Sequence, residues 1–145
     1  MIQRIQTIFL FLTAIVFGSL FKVPFAISDK PSAQYLSDRV YDVTDHPVLI
    51  ALTILGALLA LISIFLFRKR KVQLKFGYLI IVMAILRPVV AFLLFTRTSV
   101  DVDPSVHVND QAGMFLPLIA IIFAGLANHF IKKDDKLVKS MDRLR

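Results

Sequence analysis

The amino-acid sequence predicts an all-α membrane protein. Four transmembrane helices are expected, with both termini on the cytoplasmic side, a small extracytoplasmic cap and an amphipathic C-terminal helix. Three observations predict this. Of the 145 residues, 57% are hydrophobic, and the mean hydropathy is +0.76. The apolar residues gather into four blocks of near-bilayer length, whereas soluble domains intersperse them with charge. The cations collect at alternate block ends. A hydrocarbon core about 30 Å thick is crossed by about 20 helical residues, and a backbone in lipid must satisfy its own hydrogen bonds. A single membrane domain over residues 1–145 follows, with no room for a soluble one.

The first span is expected over about 5–27, from "IQTIFLFLTAIVFGSLF" past Lys22 to Ile27. Its end, "FAIS", has the small residues of a signal-peptidase site in Ala26 and Ser28. The apolar run exceeds the roughly 7–15 residues of a signal core, however, so the helix is expected to be retained. The second span is "PVLIALTILGALLALISIFLF", 47–67, and the third is "FGYLIIVMAILRPVVAFLLF", 76–95. The fourth, "GMFLPLIAIIFAGLANHFI", covers 113–131 and leaves a tail at 132–145.

Charge sets the threading. Arg4, the run Arg68, Lys69, Arg70, Lys71 and Lys75, and six cations after residue 131 make 12 of the 17 Lys and Arg. An even number of crossings puts them all on one side. The other loops hold Lys22, Lys30, Arg39 and Arg97 against seven Asp. Lys and Arg are retained in the cytoplasm, which assigns the termini and the 68–75 loop to the inside of an inner membrane. Basic segments beside a bilayer also attract anionic lipid, by about 1 kcal/mol per residue. The net charge of +7 therefore reads as topology and inner-leaflet contact. No nucleic-acid partner is expected, since no RNA-binding motif or aromatic interleaving accompanies the charge.

The outer loops are polar. In "TRTSVDVDPSVHVNDQAG", Val100, Val102, Val106 and Val108 alternate around Asp103-Pro104, the pattern of a short hairpin. "RVYDVTD" repeats it more weakly at Val40 and Val43. His46, His107, Asp42, Asp45, Asp101 and Asp103 are ligand types, but their spacing matches no metal motif and no metal site is expected. The absence of cysteine removes disulfides and thiol chemistry. No phosphate loop, metalloprotease motif or serine elbow occurs, so neither an enzyme nor a cofactor is expected.

Arg87 and Pro88 are out of place in "VMAILRPVVAFLLF". Arg87 lies eight residues before the end of the third block, about 12 Å deep at 1.5 Å per residue. A lipid-facing Arg near a helix centre costs about 2.5–3.5 kcal/mol on insertion scales, so it should face protein or water. The four blocks contain no acidic residue. The hydroxyls of Thr13, Ser19, Thr53 and Ser63, the Ala84 carbonyl freed by Pro88, and the loop residues Asp45, Asp101 and Asp103 are the available partners. Arg87 reads either as an anion or proton-pathway residue, or as a structural or interface residue.

Gly56/Ala60 and Ala120/Ala124 are small-xxx-small pairs that let membrane helices approach. Asn128 and His129 are expected at the cytoplasmic interface. In the tail, Leu137, Met141 and Leu144 fall at i, i+4, i+7 among basic residues, which predicts an amphipathic helix on the inner leaflet or on a partner.

The ends "MIQRIQTIFL" and "LANHFIKKDDKLVKSMDRLR" resemble those of a Bacteroidota family of small four-span membrane proteins, a domain-of-unknown-function family. The resemblance implies four helices, an inner membrane and a Gram-negative source, and it carries no site. The chain departs from the family pattern at His129, where Arg is usual, and at Asp134-Asp135, where Asp-Glu is usual. The leading expectation is a non-catalytic accessory or scaffolding subunit of a larger membrane complex, paired with another integral membrane protein or with itself. The alternative is a small oligomeric transporter or channel that uses Arg87.

Overall fold

The computed structural model describes residues 3–29, 38–98 and 108–142. Helices α1 (Gln3–Ser19), α2 (Pro47–Phe65), α3 (Arg70–Thr98) and α4 (Leu116–Asp142) form a bundle. Each packs on the next, and α4 closes the ring against α1. A three-residue 3-10 turn, Leu66–Arg68, makes α2 and α3 antiparallel neighbours. At the opposite end a small antiparallel sheet caps the bundle. Its order is β2 (Val40–Tyr41), β1 (Ala26–Ser28), β3 (Val108–Asp110), with Ala26 opposite both Tyr41 and Asp110.

Three helices, α2 to α4, are long and apolar enough to cross a bilayer; α1 is apolar but has 17 residues. The first span is thus shorter than the expected 5–27. After Ser19 the chain turns, with Lys22 and Val23 N–H both donating to the Ser19 carbonyl. Pro24 has no N–H with which to continue a helix. Ala26 and Ile27, the expected end of that span, instead lie in the central strand of the cap, Ala26–Ser28. A short apolar run is compatible with either state, and here tertiary partners decide it. Phe25 N–H donates to Tyr41 O, and Gln111 N–H donates to Phe25 O. Gly113 completes the seam: its N–H donates to Pro24 O, and a Cβ there would lie 2.2 Å from that oxygen.

The expected hairpin around Val100–Val106 lies outside the described residues. Val108 and Val40 do enter strands, whereas Val43 is in a 3-10 turn, Val43–Asp45. The ligand-type residues of that stretch are used in capping. Asp42 and Asp45 form a reciprocal capping box, and His46 Nδ1 accepts from Val48 N–H at 3.2 Å to cap α2, with Pro47 at its first position.

The other bounds shift outward. α3 starts at Arg70, so the basic run is helical, and α4 continues unbroken through the tail to Asp142. At 1.5 Å per residue α4 is about 40 Å long and overruns a 30 Å core. The tail therefore extends the fourth helix, where a separate helix on the leaflet was expected. Leu137 is exposed on this extension; the side chains of Met141 and Leu144 lie outside the described residues.

The inward faces follow one rule. Buried positions run 49, 53, 56, 60, 63 in α2, 73, 77, 80, 84, 87, 91 in α3 and 117, 120, 124, 127, 131, 134 in α4. This alternation of three and four is the seam of a left-handed bundle. Small and polar residues hold many of its positions (Thr53, Gly56, Ala60, Gly77, Ala84, Ala120, Ala124) beside the larger Leu49, Ile80 and Ile131, and the outward faces are largely apolar as well. Gly56 is taken up within the bundle, where its Cβ position lies 2.4 Å from the Phe17 ring of α1. The pairs Gly56/Ala60 and Ala120/Ala124 therefore serve packing within the bundle.

Candidate functional site

Arg87 occupies a seam position and is the largest fully buried side chain of the described residues, at 0% exposure. Its Nε and both terminal nitrogens have no hydrogen-bond partner among the described residues. The guanidinium carbon sits 4.8 Å from the centroid of the Phe25 ring. A cation over an aromatic face is stabilised by about 0.5–2 kcal/mol, which falls short of the several kcal/mol that burying an unpaired ion costs. Arg87 thus faces the bundle interior, away from lipid. Of the partners available to it by sequence, Thr13 and Thr53 donate to their own helix carbonyls four residues back, and Ser19 donates to Val16 O. Ser63 sits at the other end of the bundle beside Gln73, whose Nε2 donates to the Ser63 carbonyl at 3.0 Å. Asp45 is engaged with Asp42 N–H, and Asp101 and Asp103 lie outside the described residues.

Phe25 is held over Arg87 by the cap. Its ring meets Tyr41 at 5.4 Å, Tyr41 meets Phe95 at 5.6 Å, and Tyr41 Oη donates to the Ala91 carbonyl at 2.9 Å, tying the cap to α3 one turn beyond Arg87. α3 runs through Pro88 as continuous helix. Pro88 and Ala91 floor a cleft of about 180 Å³ that is walled by Phe25, Tyr41, Phe92, Phe95 and Met114, with Asp110 at its edge. Phe92 and Met114 are exposed, so the cleft opens on the flank of the bundle.

A second polar centre lies at the end away from the cap. Gln6, Ser63, Gln73 and Asn128, one from each helix, are all buried. Asn128 packs on Gly77, where a Cβ would lie 1.8 Å from its Oδ1, and its amide has no partner among the described residues. His129, its neighbour, points outward and meets Phe130 edge-on. The two residues expected together at the interface are thus separated, one buried and one exposed. Arg70 pairs with the mostly buried Asp134 at 2.9 Å, and Lys139 pairs with Asp135. Around this end Arg68, Lys69, Arg70 and Lys71 line an open groove with Asp135. Among the described residues no group of His and carboxylates gathers that could hold a metal. Between the two polar centres the seam is closed by Leu10, Ile80, Ala84, Ala124 and Ala127, all buried.

Gln6, expected in the same leaflet as Asn128 and His129, lies buried at that end of the bundle. Gln73, Gly77 and Phe25 carry no motif; the three-four spacing of small and polar residues marks the first two, and nothing local marks Phe25, whose partner is 62 residues away.

Three long apolar helices beside a shorter fourth are compatible with a multi-pass membrane protein. The chain belongs to the family Domain of unknown function (DUF4293), whose model matches residues 2–144. No curated protein and no solved structure matches it.

Proposed function

We propose that this is a non-catalytic four-span protein of the inner membrane, with the basic end cytoplasmic, that binds an anionic group inside the bundle at Arg87. One observation carries this reading: a fully buried guanidinium whose three nitrogens all lack a partner among the described residues. Such a charge is stable only if paired or hydrogen-bonded, and an anion supplies both at once through the planar fork of the side chain. α1 completes the fourth crossing because residues 20–25 continue it toward the cap. Access is from the cap side, where the cleft lies. The apolar seam below Arg87 favours binding over a through-channel.

The test is ligand-induced stabilisation in a neutral detergent. Dodecyl phosphate should raise the melting temperature of the wild type and not that of Arg87→Met, since a ligand at about 100 Kd adds about 2.7 kcal/mol. Equal shifts in both proteins would overturn the reading.

The exposed Leu137, set among Lys133, Lys136 and Lys139 on the overhang of α4, favours a second reading, an accessory subunit docked through its cytoplasmic end. The wild type should then co-purify with a stoichiometric membrane partner that Leu137→Ser loses; a lone wild-type species in mild detergent would count against it.

A further inference from the structure

Resting on the Arg87 reading, we propose that the ligand is a zwitterionic phospholipid, its phosphate on Arg87 and its ammonium group in the aromatic cleft beside Asp110. Arg87 alone asks only for an anion; the cleft asks for more. Phe25, Tyr41, Phe92 and Phe95 line it, and the one charged residue among its described lining is Asp110, an acid and not a cation. Aromatic faces around a carboxylate are the chemistry that recognises an organic ammonium ion. An anion alone would gain nothing from either feature, and Asp110 would repel it.

The two charged centres share a wall. Phe25 lines the cleft and also carries the Arg87 guanidinium at 4.8 Å, and Pro88 and Ala91, next to Arg87 and one turn beyond it, form the cleft floor. A ligand bearing negative and positive charges a few bonds apart matches a guanidinium on one side of that wall and a carboxylate on the other. Rotation of the Phe25 ring away from Arg87 admits the phosphate. The source of the ligand is the bilayer, since the cleft is predominantly apolar and opens beside the exposed Phe92 on the flank of α3. The acyl chains stay in lipid, so 180 Å³ has to hold only the headgroup.

The test is native mass spectrometry of the full-length protein after exchange into mixed micelles holding equal phosphatidylethanolamine and phosphatidylglycerol. Wild type, Arg87→Met and Asp110→Asn are compared. The wild type should retain phosphatidylethanolamine at least about five-fold over phosphatidylglycerol. Asp110→Asn, an isosteric change at an exposed side chain, should erase that preference while keeping a lipid bound, and Arg87→Met should lose both lipids. If both lipids bind equally to the wild type and both are lost from Arg87→Met, the headgroup inference falls and the anion site stands. If Arg87→Met retains lipid as the wild type does, the anion site falls with it.

Discussion

Replacing Arg87 by Met should make the ligand-free protein more stable. The guanidinium is fully buried and none of its nitrogens is hydrogen-bonded among the described residues. Folding from an SDS-unfolded state, where Arg87 reaches headgroups and water, takes the ion out of solvent at a cost of several kcal/mol. The Phe25 face returns about 1–2 kcal/mol, and the shorter Met leaves a small void costing about 1 kcal/mol. The balance is a gain of roughly 1–3 kcal/mol for Arg87→Met, in line with other replacements of buried ions by apolar side chains. Equilibrium SDS unfolding in delipidated dodecyl maltoside, followed by circular dichroism, reads it. A loss of more than about 2 kcal/mol would mean that Arg87 is a satisfied structural tie, and the reasoning that makes it a ligand site would be refuted. A residue that destabilises its own fold is expected where function requires it.

Three further outcomes follow from other contacts. Tyr41→Phe removes the bond to the Ala91 carbonyl and should cost about 0.5–1.5 kcal/mol in the same unfolding assay; no change would mean the cap is not tied to α3 there. Gly77→Ala drives a methyl into Asn128 and should cost about 1–3 kcal/mol by overpacking. Asn128→Ala should rescue it in a double-mutant cycle, and strict additivity would contradict the contact. In the cap, burial raises the Asp45 carboxyl above its ordinary value of 3.8, opposed by the hydrogen bond from Asp42 N–H and aided by the charges of Asp42 and Asp38. The folded state then binds the proton more tightly than the unfolded one, so wild-type stability relative to Asp45→Asn should rise as pH falls from neutral through the folded pKa. A thermal-melt series across pH that shows the opposite slope would contradict this.

Much of the fold was legible. His46-Pro47 announces α2 by side-chain capping and a proline at the first helical turn, and the basic run after Phe67 closes it. The end of α1 was not legible, because 20–27 is as apolar as the helix before it and its strand state is set by pairing with residues 40–41 and 108–113. Apolarity could not show which helix faces turn inward. In lipid both faces of a helix are greasy, and the packed face is marked by small and polar residues instead. Arg87 falls in that series with Gln73, Gly77, Ile80, Ala84 and Ala91, so its burial was readable from spacing. Its Phe25 cover was not, since a contact across the bundle leaves no local pattern. Asn128 and His129 are adjacent in sequence and 100° apart on a helix, which is why one is buried against Gly77 and the other is exposed.

The most direct measurement is native mass spectrometry of the protein gently extracted from its own membrane, wild type beside Arg87→Met. The wild type should carry a bound anionic or phosphate-bearing species in near-stoichiometric amount, and the variant, folded and equally abundant, should lack it. Identical spectra for the two, with or without an adduct, would contradict the claim that Arg87 holds an anion within the bundle.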